Sequence, residues 1–158
     1  MKNSSIIFIL LGISYIFIEV AFTAITSLKF SLIGITSLWM FLVGGMLGTV
    51  LGKINEIDIF ENLSHFYTVL LGGFIITLTE LVTGLIFNKW LGFNIWDYSN
   101  NPLNFLGQID IIHSICWLIL TPFVFWLDDL IKYYIMNSPK PPNLYKYYIR
   151  NIKLLKKI

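Results

Sequence analysis

The chain has 158 residues, 56% of them hydrophobic and only 13% charged, with a net charge of +2 and a mean hydropathy of +0.75. Soluble domains carry about a quarter charged residues, so this is the composition of a membrane protein. The single cysteine, Cys116, excludes an intrachain disulfide and reads as a small buried hydrophobe.

The charges leave four apolar stretches. Between Asn3 and Leu28 the only charge is Glu19, between Phe30 and Gly52 there is none, between Asn62 and Asn88 there is only Glu80, and between Ile111 and Leu127 there is none. A membrane span needs about 20 apolar residues. The predicted fold class is therefore an all-α integral membrane protein, a bundle of four transmembrane helices at about 6–26, 31–51, 65–87 and 108–132. The membrane domain covers 1–133, and a basic tail covers 134–158. No soluble domain, internal repeat or low-complexity linker interrupts it.

The first span is too long for a signal peptide and contains an acid. Tyr15, Glu19 and Thr23 are spaced four apart, so they share one helix face. Residues 27–30 leave room only for a tight turn, which makes the first two spans antiparallel neighbours. Span two carries Gly44, Gly48 and Gly52 at every fourth position, a small-residue ladder that lets helices approach closely in lipid. Packing within the chain is the favoured reading of that ladder, with a dimer interface as the alternative. The connection from Lys53 to Ser64 is polar and amphipathic, suited to the headgroups.

Span three places Gly73, Thr77, Glu80 and Gly84 on one small, polar stripe. Glu80 therefore faces protein or a cavity, because a charge facing lipid is costly. Residues 88–107 hold Trp90, Phe93, Trp96, Asp97 and Tyr98, then a breaker cluster ending in Pro102. This segment reads as an interfacial helix or as a re-entrant loop before the last span. Span four opens with Gln108 and Asp110, and Pro122 predicts a kink. His113 reads as a packed or capping group; it can pair with Asp110, but Ser114 beside it does not complete a triad.

After Asp129 the chain has seven basic residues and no acid. That bias places the tail in the cytoplasm rather than on nucleic acid, and residues 145–158 suit a basic amphipathic helix on an anionic leaflet. Four spans bring the N-terminus to the cytoplasm too. Glu19 and Glu80 then each lie about seven residues from the outer end of their spans, roughly 10 Å deep. The predicted site is an outward polar pocket with both glutamates in its wall and Asp97 in its cover. Two neighbouring buried carboxylates do not both ionise readily, which suits proton coupling, cation binding or acid–base work; the alternative is that each acid simply locks the bundle.

The blocks ISYIFIEVAF, SLWMF, TELVTG and WDYSNNPLNFLGQI, with CWLIL after them, resemble a small bacterial family of ABC-transporter type IV (CmpB-like) permeases. The likeness covers roughly residues 6–125, and the WDYS block is its most specific part. It implies that Glu19, Glu80, Gly84, Trp96, Asp97, Tyr98, Ser99, Asn104, Gly107 and Gln108 are recurring positions. Two places depart from the common pattern, at Tyr15–Phe17 and at Gly34–Trp39. The resemblance implies a multi-pass protein of the bacterial plasma membrane and a transport or transport-associated subunit. No nucleotide-binding lysine loop is present, so any ATPase is a separate chain. A homo-oligomer or a membrane partner protein is expected for so small a permease. The competing readings are a membrane-embedded enzyme acting on a lipid or envelope substrate and a non-catalytic assembly partner. No nucleophile–base pair, cofactor motif or metal cluster is evident, which argues against the enzyme.

Overall fold

The computed structural model describes residues 2–26, 37–56 and 65–155. The predicted turn at 27–30, the start of the second predicted span and most of the 53–64 connection lie outside these residues. Five α-helices are present among them: α1 (Lys2–Thr26), α2 (Leu38–Asn55), α3 (His65–Gly84), α4 (Ile111–Met136) and α5 (Leu144–Leu155). There is no strand among the described residues, only an isolated bridge between Phe105 and Ile109. Three segments are long and apolar enough to cross a membrane: Asn3–Ile25, Phe66–Trp90 and Ile111–Met136. The fourth, Leu38–Ile54, is a shorter apolar helix. Large side chains such as Phe17, Ile25 and Phe74 are exposed on the outside of the bundle, as a lipid-facing surface requires.

Local chemistry sets the helix ends. Ser37 caps α2 by accepting a hydrogen bond from the Met40 amide, and Asp110 caps α4 by accepting one from the His113 amide at 2.8 Å. Asn137 ends α4 in the left-handed conformation and donates its amide to the Lys132 carbonyl. Helix α4 thus runs from 111 to 136, later at both ends than the predicted 108–132, because Asp110 rather than Gln108 is the cap. Pro122 lies inside that continuous helix and is buried.

The glycines are used between helices. A Cβ on Gly48 would fall 2.9 Å from Leu11 Cδ1, and one on Gly45 would fall 2.7 Å from the Phe8 carbonyl, so α1 and α2 pack almost backbone to backbone. Gly52 faces Asp128 and Gly73 faces Leu118, both on α4. The core joins Leu51, Val69, Ile76 and Phe125 with Tyr147 from α5, while Ile7, Leu11 and Ile131 form a second cluster. The boundary predicted at 133 falls within α4, and the tail helix contributes Tyr147 to the core of the bundle. Trp126 also ties the connector down by donating to the Pro142 carbonyl at 3.1 Å.

The predicted span at 65–87 runs further than the sequence suggests. Helix α3 continues without a break into a π-helical turn, Leu85–Trp90. The wider turn brings Asn88 inside, where it is 7% exposed. Only at Leu91 does the chain leave the helix. Of the interfacial helix and the re-entrant loop expected at 88–107, no helix forms beyond Trp90; residues 91–110 fold as a succession of turns at the end of the bundle. Helical dihedrals are blocked there by Gly92 and Gly107 at φ near +69° and by Pro102, and side-chain amides satisfy the backbone instead.

Candidate functional site

Glu80 projects from α3 toward α4 and the 91–110 loop, and is 9% exposed. Both of its oxygens are engaged. Tyr98 Oη donates to Oε1 at 3.1 Å, and Trp117 Nε1 donates to Oε2 at 2.9 Å. Glu19 stands opposite on α1. Tyr15, one turn earlier, donates its hydroxyl to Glu19 Oε1 at 2.9 Å, as the i, i+4 spacing allows. The Tyr15 ring stacks on Trp117, and the Tyr98 ring stacks on His113 with centroids 4.2 Å apart. Glu19 and Glu80 are thereby linked through two aromatic donors and one stacked pair.

The loop is held by its own amides. Asn88 is the central anchor: it accepts from the Ile95 amide at 2.7 Å and donates to the Trp96 carbonyl and to Gln108 Oε1. Trp96 Nε1 donates to the Gln108 carbonyl at 3.0 Å, and Gln108 is 1% exposed. Gly84 makes this seating possible, since a Cβ there would stand 2.6 Å from Gln108 Oε1 and 3.1 Å from the Trp96 ring. Asn104 donates to the Ser99 and Asn101 carbonyls and accepts from the Gly107 amide. Asn101 donates to Asp110 Oδ2, which also meets His113 Nδ1 at 2.7 Å. Burial opposes the charge on Asp110, but the hydrogen bonds from Asn101 and His113 outweigh it and hold this carboxyl below the usual range.

Asp97 sits on the exposed rim. The Ser99 hydroxyl and amide both donate to its Oδ1 and hold its carboxyl below the usual range, so it is ionised at neutral pH. Burial pushes the Tyr98 hydroxyl well above the usual tyrosine range, with the nearby Glu80 adding to the effect, so it remains a donor.

Between α1, α4 and the loop lies a pocket of about 500 Å³. Glu19, Trp96, Asp97, Tyr98, His113 and Trp117 are in its wall, with Ile18, Phe22, Cys116 and Leu120 supplying apolar surface. A smaller polar cavity of about 40 Å³ separates Glu19 from Glu80 and is bounded by Tyr15, Met40, Trp96 and Tyr98. Below the Tyr15–Trp117 pair, a narrow apolar cavity of about 50 Å³ runs between α1, α2 and α4 toward Leu51 and Leu127.

Of the residues singled out in the sequence, Glu19, Glu80, Trp96, Asp97 and Tyr98 line these two upper cavities. Asn104 and Gln108 line neither; they hold the loop together. Gly84, read in the sequence as part of a helix-packing stripe, packs against the loop rather than against a helix. Trp117 and Asn88 were not singled out. Trp117 reads as one more apolar residue, and its role comes from donating across 37 positions of sequence. Asn88 reads as the polar end of a span, and only the π-helical turn brings it inward. Among the described residues, no group of three or more His, Cys, Asp or Glu side chains could hold a metal ion.

No curated protein and no solved structure is significantly similar to the chain. A family model does match, from residue 6 to residue 151, a span that includes Glu19, Glu80, the loop and the first part of the tail helix. The chain therefore belongs to the family described as Putative ABC-transporter type IV.

Proposed function

We propose that this protein is the membrane-embedded, permease-like subunit of an ABC-type transporter, and that its substrate enters the pocket at the loop end of the bundle. The observation that carries this reading is the 500 Å³ pocket beside two intramembrane glutamates, in a member of a transporter-type family. Ligand sites are typically concave, mostly apolar and equipped with a few convergent polar groups. Glu80 has both oxygens occupied, so its part is to fix Tyr98 and Trp117. Glu19 retains one oxygen without a hydrogen bond among the described residues, and it is the carboxylate we assign to the substrate. Trp117 lines both the pocket and the apolar cavity, and its ring stacks on Tyr15, which lines the apolar cavity. Passage toward the tail end requires that pair to part. In the topology we favour, with the basic tail in the cytoplasm, the pocket opens outward.

These 158 residues contain no nucleotide-binding lysine loop, so this reading assigns ATP hydrolysis to a partner ATPase. Purification from the native membrane in a mild detergent should retain that ATPase, and Glu19→Gln should change its rate of ATP hydrolysis at least several-fold. A chain that purifies without any ATPase, or with one whose rate ignores both Glu19→Gln and Tyr98→Phe, overturns the transport reading.

A further inference from the structure

Carboxylates at the two ends of this bundle are treated in two ways. At the tail end, Asp128 is 1% exposed, and Lys132 Nζ stands 2.5 Å from its Oδ2 and 2.7 Å from Glu56 Oε1. The protein sets a cation of its own between those carboxylates. The loop-end pocket has the half-buried Glu19 and the exposed Asp97 in its wall, together with His113, whose ring is paired with Asp110, and no lysine or arginine. Tyr15 engages Oε1 of Glu19 and Ser99 engages Oδ1 of Asp97, so each carboxylate keeps one oxygen with no hydrogen bond among the described residues.

The rest of the pocket wall is largely aromatic and aliphatic. Phe22, Trp96, Tyr98 and Trp117 contribute rings, and Ile18 and Leu120 contribute aliphatic surface. Aromatic faces attract organic cations, and they do so more strongly where water is excluded. An inorganic cation is poorly matched to so large and apolar a space, which offers too few oxygen ligands. An anion would meet two carboxylates. The volume, about 500 Å³, suits a molecule rather than an ion.

Taking the loop-end pocket to be the substrate site, as proposed above, we infer that its ligand is an organic ammonium with an apolar substituent: the charged nitrogen between Glu19 and Asp97, the apolar part along Ile18, Phe22 and Leu120. In that position the ligand does for the loop end what Lys132 does for the tail end. The same chemistry is met in a soluble alkylammonium compound and in an amine-headed lipid.

Cys116 lies in the pocket wall and is the only cysteine of the chain, so its alkylation reports occupancy without any engineered label. The experiment uses the full chain in a neutral maltoside detergent and measures the rate at which N-ethylmaleimide modifies Cys116. Decyltrimethylammonium, below its micellar concentration, should slow that rate. Decyl sulfate and tetramethylammonium at equal concentration should not. Glu19→Gln and Asp97→Asn should each raise the concentration needed for half-protection by about ten-fold, the loss of one contact to a charged group. A repeat in phosphatidylglycerol nanodiscs, with and without phosphatidylethanolamine, tells the sources apart: protection by phosphatidylethanolamine alone identifies a lipid, and protection only by the added compound identifies a soluble one.

Equal protection by decyl sulfate, or half-protection unchanged in both variants, overturns the ammonium assignment while leaving the pocket as a site. Protection by tetramethylammonium alone overturns the apolar part. If Cys116 reacts as slowly as a fully buried thiol, and reacts only after denaturation, the pocket is closed and the site reading falls with the ligand.

Discussion

At the tail end of the bundle Asp128 is buried beside a lysine of its own chain; at the loop end Glu80 is buried beside a phenol and an indole. Both solutions satisfy an acid inside an apolar bundle, but they differ in what they leave over. In the Asp128–Lys132–Glu56 cluster, Gly52 packs directly against the Asp128 carboxylate. The neutral donors around Glu80 bring no compensating charge, and a pocket lies beside them between helix and loop. A buried ion pair contributes to fixing one arrangement of helices, and it is costly to break. A carboxylate held by aromatic donors keeps its neighbourhood available for something else. The two ends thus divide the work, one locking helices together and the other shaping a pocket.

The sharpest way to break this comparison is Lys132→Met. It leaves Asp128 buried without its cation and should cost about 3–5 kcal/mol, read as loss of accumulation and a lowered melting temperature in detergent. Adding Asp128→Asn should recover most of that loss; no recovery would mean the cluster is not the tail-end lock. Next in size is Gly84→Leu, which places a side chain where Gln108 and Trp96 sit. Overpacking of this kind costs roughly 1–3 kcal/mol. It should lift the loop from the bundle and speed Cys116 alkylation, whereas a comparable change on the lipid-facing side of α3, such as Phe74→Leu, should do neither.

A smaller effect is expected for Glu80→Gln, about 1.5 kcal/mol, because one amide oxygen can still accept from either Tyr98 or Trp117. Glu19→Gln keeps an amide oxygen for its one partner, Tyr15, at a more exposed position, and should melt close to wild type. If Glu19→Gln proves the more damaging for stability, the roles assigned to the two glutamates are reversed. The smallest effect concerns the loop backbone. Leu103 and Leu106 adopt φ of +52° and +54°, a conformation that disfavours any residue with a Cβ by about 1 kcal/mol. The Asn104 bonds hold them there. Leu106→Gly should therefore raise the melting temperature slightly or leave it unchanged, and a clear fall would show that its side chain matters more than its backbone.

Much of the architecture could be read from residue order alone. Apolar length announces α1, α3 and α4, because hydrocarbon demands about 20 apolar residues and sharply penalises charge. The glycine spacing of α2 announces a close helix contact for the same reason. Glu19 with Tyr15, and Asp110 with His113, are local pairs, and local pairs follow from helix periodicity. The WDYS block could be recognised as unusual because tryptophan, asparagine and proline at such density cannot continue a helix.

What no local rule contains was settled by the fold. The π-helical turn at Leu85–Trp90 depends on the loop that Asn88 must reach. The tail helix joins the core because Tyr147 finds Phe125 and Val69, while its amphipathic pattern would equally suit a free membrane surface. Trp117 became a partner of Glu80, and Gly84 became a seat for Gln108, through contacts between segments far apart in the chain. Periodicity could say that Glu80 faces inward. Which groups meet it there, and that they leave a pocket with no lysine or arginine in its wall, depends on how three helices and one loop converge, and so on the tertiary structure alone.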